Sequence, residues 1–182
     1  MNSGNPVGDR ADLKERINEF RRLFANRLVA ECGFKRNGSS LFRRNSEMSW
    51  VVKLEREFGG PQLALRMGIA LHEFTPEERL TYPAGEVSLE FDGLSLSLPE
   101  DIGPDVDPLS YRRGWIRWAL SFHSNSLEDD ERMVALDFII EELCRVTGRV
   151  QTVQDLREFV HRPDVRIDYA LVDVQPLLGL MP

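Results

Sequence analysis

The junction at residues 33–44 constrains the fold more than any other stretch of this chain. Before it, apolar residues recur every three or four positions, a spacing that predicts one buried stripe along an α-helix. The residues of this stripe are Leu13, Ile17, Phe20, Phe24 and Leu28. Gly33 then stands where helices commonly stop in the left-handed conformation, and Asn37-Gly38 is a turn signal. The junction therefore predicts a change from helix to β-structure.

Period-two alternation after the junction predicts an antiparallel meander with one buried face. The clearest strand alternates at Leu63, Leu65, Met67, Ile69 and Leu71. Trp50, Val52 and Leu54 indicate a strand before it, and Val87 to Leu98 carries a second hairpin signal around Asp92-Gly93.

Two further helices are predicted near the C-terminus. The first opens with the acids of residues 128–131 and stops at Gly148, and the second has a capping-box signal at Thr152 and Asp155. Residues 114–122 fit both a strand and a helix. We favour the strand, because Gly114 would cost a helix about 1 kcal/mol relative to alanine.

These patterns predict a single α+β domain, in which an antiparallel sheet of four to six strands is covered on one face by an N-terminal helix and two C-terminal helices. Residues 1–8 are predicted to be a disordered lead-in, with the helix beginning near Asp9 or Asp12. The domain is expected to span residues 9–162. Residues 163–182 form a C-terminal extension, in which an edge strand is one option, and its apolar tail could pack in cis or form an interface.

Composition and charge indicate a cytoplasmic protein without membrane-spanning segments. No apolar run approaches the ~18 residues that cross a bilayer, and the first residues carry no secretory signal. Cys32 and Cys144 are far apart beside apolar neighbours, so we interpret them as reduced packing residues of a cytoplasmic protein. The net charge is −7, but residues 1–60 carry +4 and the remainder −11.

The sequence around the junction resembles a bacterial family known as domain-of-unknown-function family number 4304. The likeness rests on Gly33-Phe34-Lys35-Arg36-Asn37-Gly38, on Leu41-Phe42-Arg43-Arg44 and on Met67-Gly68-Ile69. It is best over about residues 12–72 and extends loosely to about residue 160. The resemblance implies an α+β fold and no established activity.

Catalytic chemistry is not indicated by the sequence. It contains no nucleophile elbow, no phosphate-cradling glycine loop and no spacing typical of a metal site. We therefore predict neither an enzyme nor a cofactor or metal. A small-ligand-binding or cryptic enzyme domain is kept as a second alternative.

Charge supplies the two leading functional hypotheses. The favoured one is a protein-binding module, such as an immunity-type inhibitor that captures a basic bacterial toxin through Asp105, Asp107, Asp129 and Asp130. The alternative is a nucleic-acid-binding domain that uses Lys35, Arg36, Arg43 and Arg44, although a negative chain makes nucleic acid the less favoured partner. No membrane partner is expected, and the sequence leaves the oligomeric state open.

Overall fold

The computed structural model describes residues 6–74, 89–92, 116–123, 128–163 and 165–180. Its longer helices are α1 (Pro6–Cys32), α2 (Asp129–Arg149) and α3 (Val153–Val160), followed by a short α4 (Val174–Leu178). Its strands are β1 (Lys35–Asn37), β2 (Ser40–Arg44), β3 (Met48–Arg56), β4 (Leu63–Leu71), β5 (Leu89–Asp92) and β6 (Ile167–Ala170). The predicted α+β architecture is confirmed.

The strands form one antiparallel sheet in the order β1-β2-β3-β4-β5-β6. The alternating residues that predicted β4 all lie in the main core: Leu63, Leu65, Met67, Ile69 and Leu71. Strand β6 pairs with β5 and forms one edge of the sheet. The β5 half of the predicted second hairpin is observed, whereas residues 94–98 lie outside the described residues.

The main core lies between the sheet and the helices α1, α2 and α3. The α1 stripe at Ile17, Phe20, Phe24 and Leu28 is buried against the sheet. Val174 and Leu178 of α4 are also fully buried there. A second, smaller cluster on the opposite face of the sheet contains Val51 and Ala70 with Phe42 packed beside them.

The boundaries of two elements differ from the predicted ones. Helix α1 begins at Pro6, so residues 6–8 are helical rather than a disordered lead-in. Proline suits the first helical position because the amide it lacks would have no partner within the helix. The capping box of α3 is as predicted, with the Thr152 side chain accepting from the Asp155 amide and Asp155 accepting from the Thr152 amide.

The prediction of a strand over residues 114–122 was wrong for residues 116–119, which are helical. The Leu120 amide donates to the Ile116 carbonyl at 3.0 Å, and Ile116, Ala119 and Leu120 are buried. These buried residues are three and four positions apart, the spacing of residues on one face of a helix. The chain becomes extended only afterwards, where Ser121 forms an isolated bridge with Gln62.

The cysteines were predicted wrongly. Cys32 and Cys144 form a disulfide, with their Cα atoms 4.9 Å apart. Helices α1 and α2 run in the same direction, since Arg16 pairs with Asp129 near one end and the cysteines meet near the other. Helix packing therefore closes a sequence separation of 112 residues, which spacing alone could not reveal.

Candidate functional site

The acidic residues proposed for partner binding have different surroundings. Asp129 accepts a hydrogen bond from Arg16 at 2.6 Å, and this bond raises the pKa of the Arg16 guanidinium. Asp130 is exposed in the first turn of α2. Asp105 and Asp107 lie outside the described residues. Asp129 is thus committed to holding α2 against α1, whereas Asp130 faces solvent.

The turn between β3 and β4 presents an aromatic side chain to solvent. Phe58 lies in the 3-10 turn Glu57–Gly59, is fully exposed, and has a positive φ of 48°. A non-glycine residue in this left-handed region costs roughly 1–2 kcal/mol. The side chain provides no compensating burial within the described part of the molecule.

A second exposed aromatic lies beside this turn. The Phe122 amide donates to the Pro61 carbonyl at 3.0 Å, and the Gln62 side chain donates to the Arg117 carbonyl at 3.2 Å. These bonds hold residues 116–122 against the hairpin. Trp118, next to Arg117, keeps 66% of its surface exposed.

Arg132 connects the start of α2 to this region. Its guanidinium donates to the carbonyls of Ala119 at 2.7 Å and Ser121 at 2.6 Å, and lies 4.0 Å over the Phe122 ring. Burial is the largest influence on this group and lowers the pKa of Arg132, while Asp129 acts in the opposite direction. One buried arginine therefore fixes the acidic first turn of α2 beside Trp118.

The β3–β4 turn, residues 116–122 and the start of α2 are thus joined by hydrogen bonds at one end of the sheet. We call the exposed aromatic and acidic residues of these elements the tip surface: Phe58, Trp118, Glu128, Asp130 and Glu131. In the part of the chain that the structure describes, seven large hydrophobic side chains are exposed, and Phe58 is the most exposed of them. Single exposed apolar residues are ordinary, whereas two exposed aromatic side chains at one end of the sheet indicate a candidate interaction site.

The basic residues proposed for nucleic-acid binding do not share a face. Arg36 pairs with Leu41 of the main core, whereas Lys35 pairs with Phe42 of the opposite cluster. Arg43 and Arg44 are separated in the same way, since adjacent strand residues point to opposite faces.

Arg36 and Arg43 also donate hydrogen bonds to other side chains of the chain. Arg36 donates to Asn26 at 2.6 Å, and Arg43 donates to Thr147 at 3.0 Å. The four cations therefore do not form the continuous basic strip that binding of a nucleic-acid backbone would use.

A serine–histidine pair is present at the base of β3. The Ser49 hydroxyl lies 3.0 Å from His72 Nε2, and His72 Nδ1 lies 3.2 Å from the Ser46 carbonyl. Ser49 has no exposed surface and His72 is half-buried, so the Ser49 hydroxyl serves as a hydrogen-bonding partner of this imidazole within the fold. Among the described residues, no group of three or more histidine, cysteine or carboxylate side chains could hold a metal ion. In the same ranges, no helix is both long and apolar enough to cross a membrane.

Comparison of the chain with models of protein families, with curated proteins and with solved structures gives no match. The resemblance to domain-of-unknown-function family number 4304 therefore stays a prediction.

The tip surface was missed at the level of sequence. Phe58 precedes Gly59-Gly60-Pro61, and an aromatic residue in such a turn signal is a clue to exposure. Trp118 carried no such clue, because its spacing from the neighbouring apolar residues is what a buried core residue would also show.

Proposed function

We propose that this chain is a protein-binding module that docks a basic protein partner through its tip surface. The supporting observation is the exposure of Phe58 and Trp118 at the same end of the sheet. Large aromatic side chains dominate the energetics of protein interfaces, where truncating an anchor commonly costs 2 kcal/mol or more.

The conformation of Phe58 strengthens this proposal. A glycine or asparagine would adopt its positive φ more readily, and a polar side chain would suit its exposed position. Phenylalanine at position 58 therefore adds no stability to the described part of the fold. Strained, exposed residues of this kind are found where function requires them.

The charge of the tip surface supports a basic partner. Glu128, Asp130 and Glu131 are exposed beside the aromatic residues, and the whole chain carries a net charge of −7. Acidic surfaces speed the encounter with basic partners. A basic bacterial toxin, neutralised by an immunity-type inhibitor, is the partner class that we propose.

Site-specific photo-crosslinking in the source cells tests the docking surface. We expect Phe58→p-benzoylphenylalanine and Trp118→p-benzoylphenylalanine to yield the same covalent adduct. Val172, which is 78% exposed and lies outside the tip surface, is the matched control position and should not yield it. Absence of an adduct at both tip positions, or an equal adduct at position 172, would refute the assignment.

The identified partner then allows a test of the mechanism. Asp130→Lys with Glu131→Lys should slow association, and added salt should slow association of the unmodified protein. Trp118→Ala should mainly speed dissociation. Expression of the partner alone should arrest growth, and co-expression of this chain should restore it. A partner that is harmless to cells would exclude the toxin–inhibitor class while leaving the docking surface in place.

Several finer assignments are proposed with this function. Membership of family number 4304, absence of enzymatic activity and cytoplasmic localisation remain predictions. The Cys32–Cys144 disulfide is an argument against the last of these, since structural disulfides are rare in reducing compartments. Fractionation with trapping of free thiols would decide the compartment.

A further inference from the structure

A second surface of the molecule contains a cavity of about 220 Å³ between α1 and the β1–β2 hairpin. On α1 it is lined by Phe24 of the buried stripe and by Asn18, Arg21, Arg22 and Ala25. These positions follow spacings of three and four, so they share one face of the helix beside the buried stripe. No residue of the tip surface lines the cavity.

The hairpin closes the other side. Gly38 has a positive φ of 57°, which allows the tight turn that places Ser39 and Ser40 on the cavity wall with Arg36. Backbone and hydroxyl groups of such turns are hydrogen-bonding partners for anions. The polar part of the lining therefore combines three guanidinium groups with serine hydroxyls and an asparagine amide, and the apolar part consists of Phe24, Ala25, Leu41 and Leu54.

The partners of the arginines leave positive charge facing this cavity. Arg21 donates through Nε to the Leu54 carbonyl at 3.1 Å, and Arg36 donates through one terminal nitrogen to the Asn26 amide oxygen at 2.6 Å. Both partners are neutral, so they orient the two guanidinium groups without cancelling their charge.

Arg22 pairs loosely with a carboxylate. Glu19 lies 3.7 Å away, and both side chains are largely exposed, so the pair is worth little in water. No carboxylate is found among the described residues that line the cavity. Three arginines thus surround a space without an acid in its wall.

We propose that this cavity binds a terminal phosphate group, either as inorganic phosphate or as the monoester of a small molecule. Guanidinium groups match phosphate because their planar array of donors can bond two oxygens at once. Arg21 and Arg36 approach from different elements and can contact different oxygens of one dianion. The site is independent of the tip surface, so either proposal can fail without the other.

Titration calorimetry of the whole protein tests the site with inorganic phosphate, adenosine 5′-monophosphate and adenosine as probes. We expect 1:1 binding of both phosphates and none of adenosine, with a Kd below about 1 mM. A preference for the nucleotide over free phosphate would identify a monoester as the ligand, and the reverse would identify free phosphate. No saturable binding of either phosphate in this range would overturn the proposal.

Variants separate the cavity from general attraction of anions. Arg36→Gln and Arg21→Lys should each weaken binding about 10- to 100-fold, the loss expected for a hydrogen bond to a charged group. Lysine keeps the positive charge at position 21, so weaker phosphate binding by Arg21→Lys would show that the planar array of guanidinium donors is needed as well as the charge. Arg44→Gln is the matched control, because Arg44 lies on the same hairpin but outside the cavity. Equal effects of all three variants, or equal competition by chloride, would show non-specific binding and refute the site.

Discussion

Reduction of the Cys32–Cys144 disulfide should destabilise this protein by about 5 kcal/mol. The bond joins residues separated by 112 positions, and the loop-closure relation gives an entropy of about 16 cal/mol/K for such a loop, or about 5 kcal/mol near 25 °C. Domains of this kind are stable by only about 5–15 kcal/mol. The reduced protein should therefore lose a third or more of its stability.

The structure makes reduction a clean perturbation. Cys32 is buried and Cys144 is half-buried in the core, where thiols pack as small apolar groups. When the bond opens the two sulfur atoms must move apart, and we expect rotation of the two side chains to allow this while α1 stays packed on α2. The loss of stability should therefore arise mainly from the unfolded chain, whose conformational entropy rises when the cross-link is removed.

Urea unfolding with and without reductant measures the effect. Trp50 is 1% exposed, so its fluorescence should report loss of the core. With a slope of about 2 kcal/mol/M, the midpoint should fall by roughly 2–2.5 M. The double variant Cys32→Ala with Cys144→Ala is the control and should not respond to reductant. An unchanged midpoint after mass spectrometry has verified reduction would refute the loop-entropy argument, and two titratable thiols in the air-oxidised native protein would refute the disulfide.

Three further outcomes are expected. Arg132→Met should lower the free energy of unfolding by about 3 kcal/mol, because the buried Ala119 carbonyl and the part-buried Ser121 carbonyl lose their donor. The exposed control Arg149→Met should change it by less than ~0.5 kcal/mol in the same urea titration. Phe58→Asn should raise the melting temperature by relieving backbone strain worth about 1 kcal/mol, and a lower melting temperature would contradict the assigned strain. The backbone amide of Gln151, with the side chain and amide of Thr152, lowers the pKa of Asp155. The Asp155 carboxylate should therefore stabilise the folded protein at any pH above the ordinary aspartate pKa of about 3.9. This stabilisation should disappear as the pH falls through the lower pKa that Asp155 has in the folded protein. Asp155→Asn should abolish that part of the pH dependence, and an unchanged pH profile of unfolding would contradict it.

Secondary structure could be predicted from the sequence wherever a segment fitted one period and not the other. The stripe from Leu13 to Leu28 and the alternation from Leu63 to Leu71 each satisfy a single period, so burial of one face permits only one backbone geometry. The capping box at Thr152 is equally local, because the groups that hydrogen-bond are three residues apart. The order of the resulting elements then favoured helices packed on an antiparallel sheet.

Where two periods competed, packing decided between them. Residues 116–119 carried both patterns, and the helical one prevailed where Ile116, Ala119 and Leu120 are buried together. The Arg132 guanidinium then satisfies the carbonyls that end this turn. Local propensity could not predict that donor, which comes from the beginning of another helix.

Contacts between residues far apart in sequence could not be predicted from the sequence and depend on how the helices and strands pack. The alignment of α1 with α2 brings Cys32 to Cys144 and commits Asp129 to Arg16. The contact of residues 116–122 with the β3–β4 turn puts Trp118 and Phe58 at one end of the sheet. Sequence patterns record the period of each element, but the relative rotation and register of two elements depend on the shapes of all the side chains packed between them.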